Sequence, residues 1–367
     1  MFSAQKSHKN KFVLISNCES YVGYALAYHL ATELMLRPGK MKKKWRVRAL
    51  CENTQGKEAL VQAGVDVQQV QYQDQMILRS QMKGVRSIII TSMGLSSETR
   101  VPYTMNVMNA ASTEKVKRVQ MISMLGCQYA EEENSPMGQY HALEQHLRET
   151  FSYGRWCIFR LAFLNQGFYF WNDMIEHSGK IGMPMSPNTE FTTISIQDAC
   201  DAVATLVLTS HKGQVESNNE DEDDDDDEDE DTDEIEDPSM IKRIYELTGQ
   251  CPYTGSTAAM KLNKALGGEE GEIQFAEISE DELREYLERK SAKPNHADPP
   301  GLVPDPHRYI NEAFIDAIID WFKILKRVNF GQTMTHDVRD LTGKEPMDLG
   351  QFFIENHREF RRPSDSQ

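Results

Sequence analysis

The chain has 367 residues, which is enough for one large α/β domain or two ordinary domains. Its net charge of −17 comes from a single segment, since residues 216–237 hold 17 Asp or Glu and the remainder carries 40 acidic and 40 basic residues. No run of 18 apolar residues exists, which excludes a transmembrane helix, and six scattered cysteines without a CxxC pair argue against disulfides and a metal site. We therefore expect a soluble, cytoplasmic protein that neither inserts in a membrane nor binds nucleic acid directly.

Short apolar, β-branched runs alternate with segments of helical periodicity through the first part of the chain. The predicted strands are 12–15, 46–51, 66–71, 86–91, 117–123 and 156–161. The predicted helices between them are 21–36, 55–63, 76–82, 101–114 and 139–150. Because parallel strands need right-handed helical crossovers, this alternation predicts an α/β fold with a doubly wound parallel Rossmann sheet over residues 11–161.

Residues 162–360 are predicted to form a smaller C-terminal α/β subdomain for a substrate or partner, interwoven with the first part into one unit. An aromatic-rich stretch at 163–171 is expected to be core or pocket lining. The expected strands are 191–196, 241–248 and 273–278, and the expected helices are 196–210, 256–266, 279–290, 311–325 and 349–360. The acidic tract 216–237 interrupts this part and cannot form a core, so we expect a disordered insertion there.

The acidic tract has three open interpretations: a tolerated insertion that adds solubility, a docking segment for a basic protein partner, or a weak calcium site without the spacing of a calcium loop. A basic run at 40–46 (KMKKKWR) is either an exposed loop or a nuclear-import signal. For that reason we expect a cytoplasmic location and leave a nuclear location open.

The turn after the first strand reads Ser16-Asn17-Cys18-Glu19-Ser20-Tyr21-Val22-Gly23. The stretch VLISNCESYVGYAL resembles the glycine-rich V-T-G-A-T-G-Y-V-G opening of atypical short-chain dehydrogenases, with Asn17 and Ser20 at the first two glycine positions. The first glycine allows a tight turn, the second lets the pyrophosphate approach, and the third packs the helix on the strand. Asn17 tolerates a positive φ, whereas Ser20 and Glu19 place a side chain and a negative charge where phosphate would lie.

Glu52 follows the second strand, where an acidic residue bonds the adenine ribose and disfavours the 2′-phosphate of NADP. If a nicotinamide cofactor binds, we expect weakened binding, with NAD preferred over NADP. The other interpretation is that the loop binds no nucleotide and has only a structural role. The candidate cofactor contacts are Ser16, Asn17, Ser20, Tyr21, Val22, Gly23, Glu52, Asn53, Thr91 and Ser92.

Longer stretches resemble the NmrA-like family over residues 11–360, apart from the acidic tract. RVRALCEN, NVMNAASTEKVKRVQMISMLG, IYELTGQ and the C-terminal FGQTMTHDVRDLTGKEPMDLGQFFIEN are similar to that family's motifs. The resemblance implies the fold of short-chain dehydrogenases. It also implies one of two activities, reduction with NAD(P)H or redox-sensitive regulation through protein partners without turnover.

A dehydrogenase of this class needs a Tyr and a Lys four residues apart on the helix after the fifth strand. Tyr140 is followed by Glu144 instead, and we expect that carboxylate to raise the phenol pKa. His141 is a weak candidate for an acid or base, Ser123 stands at the position of the usual active-site serine, and the pair Tyr286 and Lys290 is expected on a solvated helix face. We predict no catalytic residue and a regulatory protein, with an NAD(P)-dependent oxidoreductase as the alternative.

Overall fold

The computed structural model describes residues 11–36, 45–152, 155–209, 243–291 and 306–363. The acidic tract 216–237 and most of the basic run 40–46 lie outside these ranges. Within them, no helix combines the length and the apolar character needed to cross a bilayer.

Seven parallel strands, numbered in chain order with the rest, form the central sheet. They are β1 (Lys11–Ile15), β2 (Trp45–Cys51), β3 (Asp66–Gln69), β4 (Val85–Thr91), β5 (Arg118–Met124), β6 (Arg155–Leu161) and β10 (Arg243–Leu247). Their order is β10-β6-β5-β4-β1-β2-β3, and every pairing is parallel. The strand order reverses between β1 and β4, so a ligand crevice is expected at the carboxyl ends of these two strands.

The helices follow the predicted alternation closely. They are α1 (Tyr21–Leu36), α2 (Glu58–Gln62), α3 (Gln75–Gln81), α4 (Arg100–Thr113), α5 (Pro136–Thr150), α6 (Asn172–Ser178), α7 (Ile196–Thr209), α8 (Gly255–Ala265), α9 (Glu280–Ser291), α10 (Glu312–Val328), α11 (Asp337–Thr342) and α12 (Leu349–Glu355). Two small sheets complete the C-terminal part. One joins β11 (Pro252–Thr254), β9 (Glu190–Ile194) and β7 (Phe163–Leu164), and the other pairs β12 (Gln274–Glu277) with β8 (Lys180–Met183).

Hydrophobic side chains cover both faces of the central sheet. On β4, Ile89 points into the core under α1 and α7, while Ile88 and Ile90 point into the core under α3, α4 and α5. This alternation on a strand that is apolar throughout is what a sheet buried on both faces requires. The doubly wound α/β prediction is confirmed.

The central sheet has seven strands in the described residues, one more than the predicted alternation, because β10 pairs with β6. β10 comes from beyond the predicted boundary at residue 161, which fits the interwoven organisation that the sequence suggested. The division at 161 itself stays a prediction. The final predicted helix, 349–360, is too long: α12 ends at Glu355 and a short 3-10 helix, His357–Glu359, follows.

Candidate functional site

A cavity of about 410 Å³ opens at the carboxyl ends of the central strands, at the reversal of strand order. Its volume lies within the range of roughly 300–1,000 Å³ that small-molecule sites occupy. The β1–α1 turn forms one wall, the ends of β5 and β6 form the floor, and the segment that enters α10 covers it. Polar and charged lining residues are Asn17, Glu19, Ser20, Glu52, Asn53, Gln166, Arg308 and Asn311.

The β1–α1 turn keeps its tight shape without a glycine at its first position. Asn17 has a φ of 52°, the left-handed conformation that Asn tolerates better than most residues. Its backbone amide donates to the Tyr72 hydroxyl at 2.7 Å, and its side-chain amide donates to the Met93 carbonyl at 2.8 Å. Because that side chain is bound to the loop after β4, it braces the turn.

Ser20 closes the first turn of α1 with its own side chain. The buried Ser20 hydroxyl donates to the Asn17 carbonyl at 2.8 Å and accepts from the Gly23 amide at 3.1 Å. Such N-capping satisfies one of the amides that the first turn of a helix leaves without a backbone partner. Gly23 is required for packing, because a Cβ there would lie 2.4 Å from the Asn17 carbonyl oxygen.

Glu19 spans the space between the turn and the end of β2. Its Oε1 accepts from the Asn53 amide at 2.9 Å, while Oε2 is buried without a hydrogen-bond partner in the described part of the chain. Burial raises the pKa of Glu19, and hydrogen bonds from backbone amides and the nearby charge of Lys57 oppose that rise. Burial also raises the pKa of Glu52, which lines the same end of the cavity. Two carboxyl groups thus line the end of the cavity beside the β1–α1 turn.

The ten candidate cofactor contacts fall into two groups. Those that line the cavity are Asn17, Ser20, Tyr21, Val22, Glu52 and Asn53. Those that lie behind its wall are Ser16, Gly23, Thr91 and Ser92. Ser16 joins β1 to β4, since its hydroxyl accepts from the Thr91 amide at 3.1 Å and donates to the Thr91 carbonyl at 3.4 Å.

The cover of the cavity comes from a part of the chain that the sequence did not connect with the site. Phe314 and Trp321 on α10 line the cavity and pack against Phe170 and Phe163, with ring centroids 5.1 and 5.8 Å apart. The Trp321 indole donates to the Leu125 carbonyl at 3.0 Å, which ties α10 to the loop after β5. The sequence predicted a helix at 311–325 but not that it would cover a cavity.

The comparisons with known proteins agree with this architecture. A family model described as the NmrA-like family matches residues 24–217, which is more than half of the chain. The chain belongs to the NmrA-like family. No curated protein sequence matches it.

Solved structures with the same fold include an epimerase, an oxidoreductase and a transcriptional regulator. A nucleoside-diphosphate-sugar epimerase from Staphylococcus aureus is 15% identical with a TM-score of 0.63, covering 94% of this chain and 99% of that chain. An NADPH-dependent quinone oxidoreductase from Escherichia coli, complexed with NADPH, is 17% identical with a TM-score of 0.64 and the same coverage. NmrA, a negative transcriptional regulator in complex with NAD, is 13% identical with a TM-score of 0.62, covering 95% of each chain. At these identities the likeness shows the fold alone.

In this NmrA-like chain, the phenol of Tyr140 is not governed by Glu144, contrary to the sequence-based expectation. Glu144 turns away to the buried Arg160, whose Nε and a terminal nitrogen donate to its two oxygens at 2.9 and 2.7 Å. Burial is what raises the pKa of Tyr140, and the Arg100 guanidinium and the Ser92 hydroxyl oppose that rise. The spacing of four residues places Glu144 one helical turn after Tyr140 on α5. The Glu144 carboxylate nevertheless pairs with Arg160 on β6 and not with the phenol.

Tyr286 and Lys290 were expected on a solvated face of α9, and that expectation is wrong. Both side chains are buried. The Tyr286 hydroxyl donates to the Phe170 carbonyl at 2.7 Å, and the Lys290 amine lies 2.5 Å from an Asp173 carboxylate oxygen. They attach α9 to α6 and line a separate cavity of about 380 Å³ between these helices, away from the crevice at the strand ends.

Cys127, His141 and Glu144 bring potential metal-ligand atoms within 4.8 Å of one another. The Arg160 guanidinium already holds the Glu144 carboxylate at 2.7 Å, and burial raises the pKa of the Cys127 thiol well above its usual range. A cation would have to displace one positive charge and ionise a buried thiol. We therefore assign the group to the packing of α5 on β6.

Proposed function

We propose that this NmrA-like protein is a non-catalytic regulatory protein that acts through protein partners and grips nicotinamide dinucleotides only weakly. The observation that carries this proposal is the β1–α1 turn. Around this turn the Ser20 hydroxyl accepts from the Gly23 amide and the Glu19 carboxylate accepts from the Asn53 amide, so neither amide is free for a ligand. The crevice behind the turn is left for a small, mostly apolar ligand.

The energetic argument rests on both desolvation and charge. A pyrophosphate would have to break the Ser20 cap, which is worth about 0.5–2 kcal/mol, and displace Glu19 from the Asn53 amide. It would then lie beside Glu19 and Glu52, whose negative charges repel it. Each 1.4 kcal/mol of such cost weakens binding about tenfold, so three such effects move a micromolar site into the millimolar range.

If a dinucleotide does bind, we propose that NAD is preferred over NADP. Glu52 lines the cavity where the adenine ribose is bound in folds of this type. Its carboxylate is suited to the ribose 2′-hydroxyl and repels a 2′-phosphate.

The proposed partner is a basic protein that the acidic tract 216–237 attracts, in the cytoplasm or, through the basic run 40–46, in the nucleus. The proposal rests on composition, since 17 carboxylates in 22 residues face no compensating cation within the tract. Such contacts weaken sharply with salt.

An NAD(P)H-dependent reductase is the second candidate, and the position of Tyr140 favours it. The phenol lines the cavity on α5, the helix that carries the proton donor in the short-chain dehydrogenase fold. Burial raises the pKa of this phenol, which weakens it as a proton donor, so the position of Tyr140 supports this candidate and its pKa does not.

Calorimetric titration with NADH and NADPH separates the two candidates. We expect no heat of binding below about 1 mM dinucleotide and no oxidation of NADH with a panel of quinones and aldehydes. Micromolar binding followed by turnover would overturn the regulatory proposal in favour of the reductase.

A further inference from the structure

The cavity between α6 and α9, called the α6–α9 cavity below, shares no lining residue with the crevice at the strand ends. Its volume of about 380 Å³ lies within the range of roughly 300–1,000 Å³ that small-molecule sites occupy. Each helix contributes three residues to the described lining, which are Asp173, Met174 and His177 on α6 and Tyr286, Arg289 and Lys290 on α9.

Lys290 is a buried cation in the wall of this cavity. Its side chain is 7% exposed, and its amine lies 2.5 Å from an Asp173 carboxylate oxygen. The same amine lies 5.8 Å from the centre of the Tyr286 ring. A lysine is seldom buried to this extent unless a partner balances its charge, and Asp173 supplies that balance here.

Arg289 gives the lining its net positive charge. Its side chain is exposed, and no carboxylate pairs with it in the part of the chain that the structure describes. Burial raises the pKa of the Tyr286 phenol, and the nearby Arg289 charge opposes that rise. The His177 Nδ1 lies 2.7 Å from the Asp173 carbonyl oxygen, so this ring bonds within its own helix. Since Lys290 is matched by Asp173, one positive charge remains for a ligand.

The rest of the lining is apolar and favours a flat hydrocarbon body. Met174 and the Tyr286 ring supply this surface, and both a thioether and an aromatic ring pack well against another aromatic ring. The Arg289 guanidinium matches the two oxygens of a carboxylate. A phosphate dianion would bring more charge than the lining balances and would face Asp173, whereas a cation would face Arg289. An aromatic carboxylate with a single negative charge suits the lining best.

One hydrogen bond connects this cavity to the wall of the crevice. The Tyr286 hydroxyl donates to the Phe170 carbonyl at 2.7 Å, and Phe170 lines the crevice. The Phe170 ring packs on Phe314 of α10, with ring centroids 5.1 Å apart. A ligand that packs on Tyr286 therefore lies one residue away from the crevice without entering it.

We propose that the α6–α9 cavity is a binding site for a monoanionic aromatic carboxylate. The Arg289 guanidinium bonds the ligand carboxylate, and the aromatic body lies against Met174 and Tyr286. Asp173 limits the affinity, because it repels the ligand and balances the Lys290 charge. Binding here requires no dinucleotide, so this proposal and the proposed function fail or stand separately.

The test uses the full chain without any dinucleotide and a matched pair of probes, 2-naphthoate and 2-naphthamide, which share an aromatic body and differ in charge. Equilibrium dialysis is expected to show that the carboxylate binds about tenfold more tightly than the amide, because its bond to Arg289 is charge-assisted. R289Q is expected to remove that preference. R308Q makes the same change in an arginine that lines the crevice, and it should keep the preference.

A variant with the opposite expected effect tests the role of Asp173. D173N removes the repelling carboxylate and the charge that balances Lys290, so it should bind naphthoate about tenfold more tightly than the wild type and leave naphthamide binding unchanged. D316N removes a carboxylate of α10 that pairs with Arg284, and it should match the wild type.

Thermal melting identifies any variant that fails to fold. R289Q changes an exposed side chain and is expected to melt like the wild type, so it decides the proposal even if D173N does not fold. Equal binding of the two probes to the wild type would overturn the proposal. Loss of the preference in R308Q with its retention in R289Q would also overturn it, because the carboxylate would then bind in the crevice. A folded D173N without a gain would contradict the role given to Asp173.

Discussion

At the scale of single residues, the proposal for the crevice rests on the turn that enters α1. The Ser20 hydroxyl accepts from the Gly23 amide, and the Glu19 carboxylate accepts from the Asn53 amide. Gly23 survives at the third position for a reason unrelated to ligand, since its surroundings leave no space for a Cβ. The turn therefore keeps a glycine that its packing requires, and the Ser20 and Glu19 side chains bond backbone amides within the protein.

Replacing Gly23 with Ala is expected to destabilise the protein by about 3 kcal/mol, the upper end of the range for overpacking, because the clash is with backbone. Chemical denaturation measures the free energy of unfolding. G267A is the matched control, because its added Cβ meets no atom within 4 Å and strains only a positive φ, at about 1 kcal/mol. Equal losses in the two variants would contradict the packing argument.

The properties of the turn were predictable from sequence because helix capping and a short turn depend on residues a few positions apart. The partner of Tyr140 was not predictable in this way. Arg100 lies 40 residues earlier in the chain, and only the packing of α4 beside α5 brings the two together. Glu144, four residues from Tyr140, was the neighbour that local spacing suggested, and it was the wrong one.

At the scale of elements, the ion pair between Glu144 and Arg160 fixes α5 to β6. Burial alone would raise the pKa of Glu144, but hydrogen bonds and attraction from Arg160 outweigh burial and hold that pKa below its usual range. A carboxyl whose folded-state pKa is lowered stabilises the fold above its unfolded pKa of about 4.3. This stabilisation by Glu144 is lost as the pH falls through the lowered pKa of its carboxyl in the folded state.

E144Q is expected to lose about 3–5 kcal/mol of unfolding free energy at pH 7, because it leaves the buried Arg160 without its main counter-charge. Denaturant unfolding between pH 7 and pH 3 checks the sign: the gap between wild type and E144Q should narrow as the pH falls below about 4.3. The double variant E144L/R160M, which removes both charges, should recover most of the loss. A gap that does not change with pH would contradict the electrostatic explanation.

Regular elements were predicted well because their signals are local and periodic. The helix α1 occupies Tyr21–Leu36, the predicted range, and a buried β-branched strand was predicted where β4 lies. The aromatic stretch 163–171 was expected to line a pocket or the core, yet its form, the short strand β7 followed by a 3-10 helix, was missed. Side chains that pack on several elements at once leave no simple period in the sequence.

At the scale of the whole molecule, the C-terminal part completes the first part rather than standing beside it. β10 adds the outer strand to the central sheet, and α10 covers the crevice at its carboxyl edge. The Asn311 side chain bonds the Gly94 carbonyl at 3.0 Å, which links the start of α10 to the loop after β4. The order of such elements along the chain can be predicted from local patterns, but their positions in space cannot.

Deleting residues 216–237 is expected to leave thermal melting unchanged, because α7 and β10 on either side of the tract pack within the fold without it. The same deletion should abolish capture of the protein partner in a pull-down. A variant of equal length with the acidic side chains replaced by Asn and Gln separates charge from length and should behave like the deletion. Retained capture by either variant would contradict the docking role.

The central proposal is that the crevice binds dinucleotides only weakly, because the Ser20 and Glu19 side chains bond backbone amides beside it. Parallel calorimetric titration of NADH into wild type, E19A/S20G and the exposed-charge control E58A tests it most directly. The account predicts that E19A/S20G binds NADH at least tenfold more tightly than wild type, about 1.4 kcal/mol, and that E58A matches wild type. Micromolar binding by the wild type, or no gain in E19A/S20G, would contradict it.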